Sequence, residues 1–179
     1  MFIDLLRSRR SIRSFEDKAV EQEKIDLLME AMLRSPSSRS LNPWEFVVVT
    51  DKEILAALSE AKPHGASFVK SAALAIVVCA RPEKCDVWVE DCSIAAIILH
   101  LAAADLGLGS CWAQMRLREF DAEKSAGERV AEIIDLAPDM EVEAIIAVGY
   151  PAVEPEGHDR SSLPWDHVSY ERFGQRTKE

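Results

Sequence analysis

Apolar residues fall into two patterns along this chain, one with helical spacing and one in unbroken runs. Ile25, Leu28, Met29 and Met32 recur at the intervals of a helix face. Ser35-Pro36 predicts the end of that helix, because the residue before a proline avoids the helical region. Phe46-Val47-Val48-Val49 and the run from Leu74 to Ala80 are short, continuous and rich in β-branched side chains, which predicts buried strands. Between them, Thr50-Asp51-Lys52-Glu53 has the form of a capping box and predicts a helix start. A long helix is predicted from about Val87 to Leu106, apolar nearly all round in its second half, with Gly107 as its C-terminal cap. Such a helix is central to its fold or covered by a partner. A brief strand through Gly109-Ser110-Cys111-Trp112, a helix around Ala126 to Asp135 and a last strand from Val142 to Tyr150 follow. Strands alternating with helices predict an α/β or α+β sheet protein.

After Pro151 the periodicity stops. Leu163, Trp165, Val168, Tyr170 and Phe173 are too apolar for a free linker yet too irregular for a core of their own. This stretch reads as an extended tail that packs on something, such as another subunit. At 179 residues and 48% hydrophobic content, the chain has room for one substantial domain. The expectation is a single domain over 1–179, with 151–179 as its C-terminal arm.

A formal charge of −10 argues against nucleic acid, whose phosphates reward basic stripes. No N-terminal segment has the form of a secretion signal. The longest apolar run, Ile94 to Ala104, is interrupted by His100 and too short to span a bilayer. Cys79, Cys85, Cys92 and Cys111 lack metal-ligand spacing, so no metal is expected, and Cys79 reads as a small buried hydrophobe. A reduced, cytoplasmic protein bound to neither membrane nor nucleic acid is expected.

Against that acidic background, Arg9-Arg10-Ser11-Ile12-Arg13, followed by Phe15, stands out. Guanidinium groups carry a permanent charge and a planar fork of donors that fits phosphate oxygens. The cluster therefore suggests a specific anion site. The alternative is that Arg7, Arg9 and Arg10 merely complement the dipole of a short helix beginning near Phe2. No Gly-x-Gly-x-x-Gly follows a predicted strand and no Gly-Lys-Ser/Thr occurs, so neither a Rossmann nor a P-loop site is supported.

Three further segments join the arginines: Pro36-Ser37-Ser38-Arg39-Ser40-Leu41-Asn42-Pro43-Trp44, Gly107-Leu108-Gly109-Ser110-Cys111-Trp112, and Val148-Gly149-Tyr150-Pro151 with Arg160 beyond it. In this order and spacing the chain resembles the nitroreductase family of FMN-dependent oxidoreductases, from Phe2 to about Phe173. The resemblance implies an α+β fold with an antiparallel-rich sheet flanked by helices. It also implies an intertwined homodimer with FMN at the interface and the C-terminal extension wrapped around the partner.

By the same resemblance, Arg9 would meet the FMN phosphate, Arg10 and Ser11 the phosphate and ribityl region, and Arg160 would complete the phosphate site. Arg13 matches the basic position beside flavin N1 and the C2 carbonyl. Pro36, Ser37, Ser38, Ser40 and Asn42 match the loop that meets the flavin from the second subunit. Trp112, Ala113 and Gln114 fall where backbone approaches N5. The family often has Asn-x-Gln where this chain has Ser40 and Asn42, and Ile98 stands where an amide is usual. The implied activity passes hydride from NAD(P)H through flavin N5 to a small organic acceptor such as a nitroaromatic or quinone, with ping-pong kinetics. The alternative is a flavin-binding storage or sensing protein with little turnover.

The remaining polar residues read as structural. His100 is expected to be a satisfied interior histidine, His64 a loop residue, Trp88 core and Trp165 a tail anchor. Glu90 and Asp91 point apart on their helix and form no acid pair.

Overall fold

The computed structural model describes residues 1–176; the last three residues of the expected arm lie outside this range. Helix α1 (Phe2–Ser8) is short and leads into the arginine segment. Helix α2 (Gln22–Leu33) buries Ile25, Leu28 and Met32 and ends just before Ser35-Pro36, as its sequence predicts. Strand β1 (Trp44–Val49) begins two residues earlier than its apolar run, because Trp44 and Glu45 pair with Ala80 and Cys79. Helix α3 (Lys52–Ser59) is capped by Asp51, whose carboxylate accepts from the backbone N–H of Glu53 and Ile54 at 2.9 and 3.0 Å. The cap is thus one residue later than the Thr50 box predicts.

Strand β2 (Leu74–Ala80) is buried at every position. Helix α4 (Trp88–Asp105) matches its predicted span, and Gly107 follows it at φ 72°, the left-handed conformation that glycine adopts without strain. Strand β3 (Gly109–Gln114) is followed by helix α5 (Ala126–Ile133), two residues shorter than predicted, and by strand β4 (Glu141–Gly149).

The four strands form one antiparallel sheet in the order β1-β2-β4-β3. Side chains alternate across it, so β2 and β4 feed two cores. Val77 and Ile145 join Leu55, Leu58 and Val130 under α3 and α5, whereas Ile76 and Ile146 join Leu28, Met32 and Leu99 under α2 and α4. Helix α4 therefore has a packed face, but Ile94 and Ile97 on its other side remain 38% and 47% exposed. Phe2, Ile3 and Leu6 of α1 are exposed as well.

One polar residue interrupts the sheet. Val78 pairs with Ala144 but Cys79 pairs with Val142, leaving Glu143 at a bulge. Glu143 is buried with one carboxylate oxygen unpartnered, and burial pushes its carboxyl above the usual range. The residues that follow Pro151 form two short 3-10 turns, at Arg160–Ser162 and Trp165–His167, and every residue from 152 to 168 is exposed.

Candidate functional site

The arginine segment lies along the outer edge of β3. Ser11 bridges Ser110 in parallel, and the Ile12 N–H donates to the Ser110 carbonyl at 3.0 Å. Gly109 permits this approach, since a Cβ there would sit 2.7 Å from Ile12 side-chain atoms. Two recesses open on either side of Arg9. One, of about 350 Å³, is lined by Arg9, Arg10, Gly107, Ser110 and the chain from Glu154 to Gly157. The other is lined by Arg9, Arg160, Asp159, Leu6, Leu163 and Trp165.

Arg9 and Arg160, 151 positions apart in sequence, thus converge on one hollow. Neither has a carboxylate within ion-pair distance among the described residues, nor has Arg13; Arg7 is paired with Asp4 instead. Arg10 donates to the Glu156 carbonyl, and the Arg160 guanidinium lies 4.9 Å from the Trp165 ring centre. Permanent charges without an ion-paired carboxylate among the described residues, in a chain of net −10, suit an anionic ligand. The phosphate of FMN fits that donor set.

Behind the arginines, His100 is buried with Nδ1 2.7 Å from Ser110 Oγ. Burial, reinforced by the Arg9 charge, lowers its pKa to about 4 and holds the ring neutral. It is the satisfied interior histidine that the sequence suggests.

Further along β3, the carbonyls of Ser110 and Gln114 both face the outer edge, where they accept from Ile12 and from Lys62 Nζ at 2.8 Å. By the two-residue period of a strand, the Trp112 N–H and C=O face that edge too. Ala113 is buried, whereas Trp112 and Gln114 are half-buried and joined by an indole-to-amide hydrogen bond of 2.9 Å.

The Pro36–Asn42 loop lies elsewhere. Arg39, Ser40 and Asn42 all have positive φ, at 53°, 55° and 45°, a bent backbone that non-glycine residues rarely hold. Several bonds hold it. Ser37 Oγ donates to Asn42 Oδ1 at 2.6 Å and accepts from the Asn42 N–H at 3.0 Å, so the Asn42 oxygen is engaged within the loop. Lys84 Nζ reaches the Asn42 carbonyl at 2.9 Å, and Arg39 pairs with Asp86. The Ser38 N–H donates to Asp91 Oδ1 at 2.8 Å, while Cys85 Sγ lies 3.4 Å from Oδ2.

Asp91 belongs to the first turn of α4, and Gly107 to Ser110 follow its last. The helix has 18 residues. At 1.5 Å per residue it holds the loop and the arginines apart by about 27 Å. The site residues named from sequence therefore divide into two groups within one chain. Arg9, Arg10, Ser11, Arg13, Trp112, Ala113, Gln114 and Arg160 gather along β3 and the arm. Pro36, Ser37, Ser38, Ser40 and Asn42 gather at the start of α4, opposite the arginines. Strand β3 runs back along the helix, so that Arg116, just past Gln114, lies 5.6 Å from the ring centre of Trp88. Ile98 is half-buried midway along it.

Asp91 and Lys62 take part in this construction without a sequence signal that singles them out. Among the described residues, no three His, Cys, Asp or Glu side chains cluster as a metal site, and no helix is long and apolar enough to cross a membrane.

Known proteins share this construction. The model of the nitroreductase family matches residues 6–78 and 60–150. A relative in Archaeoglobus fulgidus, whose name couples NADH dehydrogenase to NAD(P)H nitroreductase, is 35% identical over 161 residues, covering 88% of this chain and 89% of its own. The solved structure of an FMN-dependent nitroreductase from Clostridium difficile R20291 superposes with a TM-score of 0.94 at 44% identity, over 96% of this chain and 99% of that one. With the NADPH:FMN oxidoreductase of Vibrio harveyi, 24% identical over 96% of this chain and 77% of that one, the likeness (TM-score 0.81) is one of fold. On sequence and on architecture alike, the chain belongs to the nitroreductase family.

Proposed function

We propose that this chain is an FMN-dependent NAD(P)H oxidoreductase whose sites are completed by a second copy of itself. The observation that carries the proposal is the meeting of Arg9 and Arg160 in one recess, neither of them ion-paired among the described residues, while Asp159 on its wall is engaged by Ser161. These two residues, with Arg10 and Ser11, hold the phosphate end. Arg13, exposed and without an acidic partner among the described residues, supplies positive charge on the pyrimidine side of the ring. The outward backbone of Trp112 and Gln114 supplies hydrogen-bonding groups beside N5. FMN, when bound, supplies hydride transfer from NADH or NADPH to a nitroaromatic or quinone acceptor, with both reactants using one face in turn.

Within its own chain the Pro36–Asn42 loop sits at the start of α4, while Arg9 and Arg10 lie beyond its end, beside Gly107 and Ser110. In a homodimer it faces the partner's arginines. The apolar residues exposed on α1, on α4 and on the arm fit the same reading, for each is a side chain whose burial would favour association. Ser37 and Asn42 act within the loop by bracing it, and Ser38 and Ser40 present its backbone.

The test is the visible spectrum of the protein reconstituted with FMN, followed without oxygen. A yellow dimer that NADH or NADPH bleaches, and that a quinone returns to yellow, supports the proposal. A yellow protein that neither nicotinamide bleaches supports flavin storage instead, and a chain that retains no FMN refutes both readings.

A further inference from the structure

We infer that Asp91 is the positioning residue of the flavin-facing loop and acts in trans, on the site built by the partner's arginines. The inference rests on the two-copy reading above. Asp91 is 2% exposed, and a carboxylate so buried persists only where its oxygens are partnered. Its partners are not on its own helix. One oxygen takes the Ser38 N–H at 2.8 Å and the other faces the Cys85 thiol at 3.4 Å.

The Ser38 N–H opens the stretch in which Arg39, Ser40 and Asn42 all take positive φ. Three such residues close together are held only when their surroundings over-determine them. Lys84, Asp86 and Asp91 grip the loop from outside it. Lys84 and Asp86 are exposed and screened, whereas the Asp91 contact to the Ser38 N–H is shielded from solvent. Asp91 therefore dominates the loop's shape. Because α4 carries this clamp at its start and adjoins the arginine cluster at its end, the clamp governs a site that its own arginines do not form.

Trans action has a signature in mixed dimers. In a heterodimer of Asp91→Ala with Arg9→Ala, one site receives both defects and the other receives neither. Differently tagged chains are co-expressed, the heterodimer is purified, and FMN binding is titrated. Each variant homodimer is expected to bind FMN about tenfold or more weakly, as for loss of a hydrogen bond to a charged group. The heterodimer is expected to hold one FMN with wild-type affinity. Asp91→Asn is expected to bind nearly as wild type, since its amide oxygen still accepts from Ser38.

A heterodimer without a tight site means that Asp91 serves its own chain's arginines, and overturns the inference. So does normal FMN affinity in the Asp91→Ala homodimer. If that variant does not fold, Ser38→Pro removes the donor instead, at a position whose preceding residue is already extended (φ −138°, ψ 158°), and goes into the same pairing. A wild-type chain that takes no FMN or stays monomeric refutes the functional reading itself, and is seen before any variant is made.

Discussion

The arginine segment and the Pro36–Asn42 loop are built by opposite means. The first is anchored on a strand edge by ordinary extended backbone, with Ile12 packed against Gly109, and what it offers is permanent charge. The second has almost no regular structure, and what it offers is a bent backbone held by side chains from another segment. Charge on a rigid edge requires the right residue type. A bent loop requires the right neighbours. Substitutions should therefore act through ligand affinity in the first region and through conformational order in the second.

Removing the arm is the most severe challenge to this contrast, because it strips Arg160 from the charged region together with Leu163 and Trp165. A chain ending after Pro151 is expected to lose both the dimer and FMN, since each large apolar side chain buried against a partner contributes about 1.5–3 kcal/mol. Arg160→Ala is expected to lose FMN but keep the dimer. Light scattering with flavin absorbance on the eluting peak distinguishes the two, and a truncated chain that stays dimeric and yellow would refute the assigned role of the arm.

Acid should probe the charged region next. The folded state holds His100 neutral, with a pKa near 4, against 6.5 when unexposed to such burial. The unfolded chain thus takes up the proton first as pH falls. The stabilisation is complete above about pH 6.5 and is lost on the way down to about 4. A gap of that size corresponds to about 3 kcal/mol. Denaturant unfolding at several pH values should show a shallower loss in His100→Gln than in wild type over this window. Parallel curves would mean that His100 is not held neutral.

Arg9→Ala should cost FMN binding about 1.5–3 kcal/mol, a ten- to hundredfold rise in dissociation constant, with little change in fold stability. An unchanged titration would remove Arg9 from the phosphate site. The loop should answer in the opposite sense. Ser40→Gly relieves a positive φ of 55° and is expected to stabilise the fold by about 1 kcal/mol, raising the melting temperature by roughly 2–4 °C. It should nevertheless weaken FMN binding, because the relaxed loop no longer keeps one shape. Tighter binding with the same thermal gain would show that the bend has no part in recognition.

These opposite constructions also explain what could be read in the sequence. Strand β2 and helix α4 were legible because their signals are local: seven consecutive apolar residues in one, and a long apolar stretch closed by Gly107 in the other. The arginines were legible because charge type alone carries their chemistry. The cap of α3 was misplaced by one residue because Thr50 and Asp51 are both competent caps, and only geometry shows which side chain reaches Glu53 and Ile54. The start of β1 depends on Trp44 finding Ala80, a partner 36 residues away. The sequence shows of Asp91 only that it points away from Glu90, for its meaning comes from Ser38, 53 residues earlier. Glu143 breaks an apolar strand, but its bulge is defined by the register of β2. What the sequence hid was pairing at a distance.

Helix α4 has one more consequence. It keeps the loop and the arginines on opposite ends of a single rod, so that, with sites completed by a second copy as proposed above, cofactor loading becomes a matter of mass action between chains. On the two-copy reading, dilution below the dissociation constant of the dimer empties the sites even when FMN is plentiful. The concentration of the chain then sets the fraction of sites that can be loaded, a dependence that a single-chain site would not have.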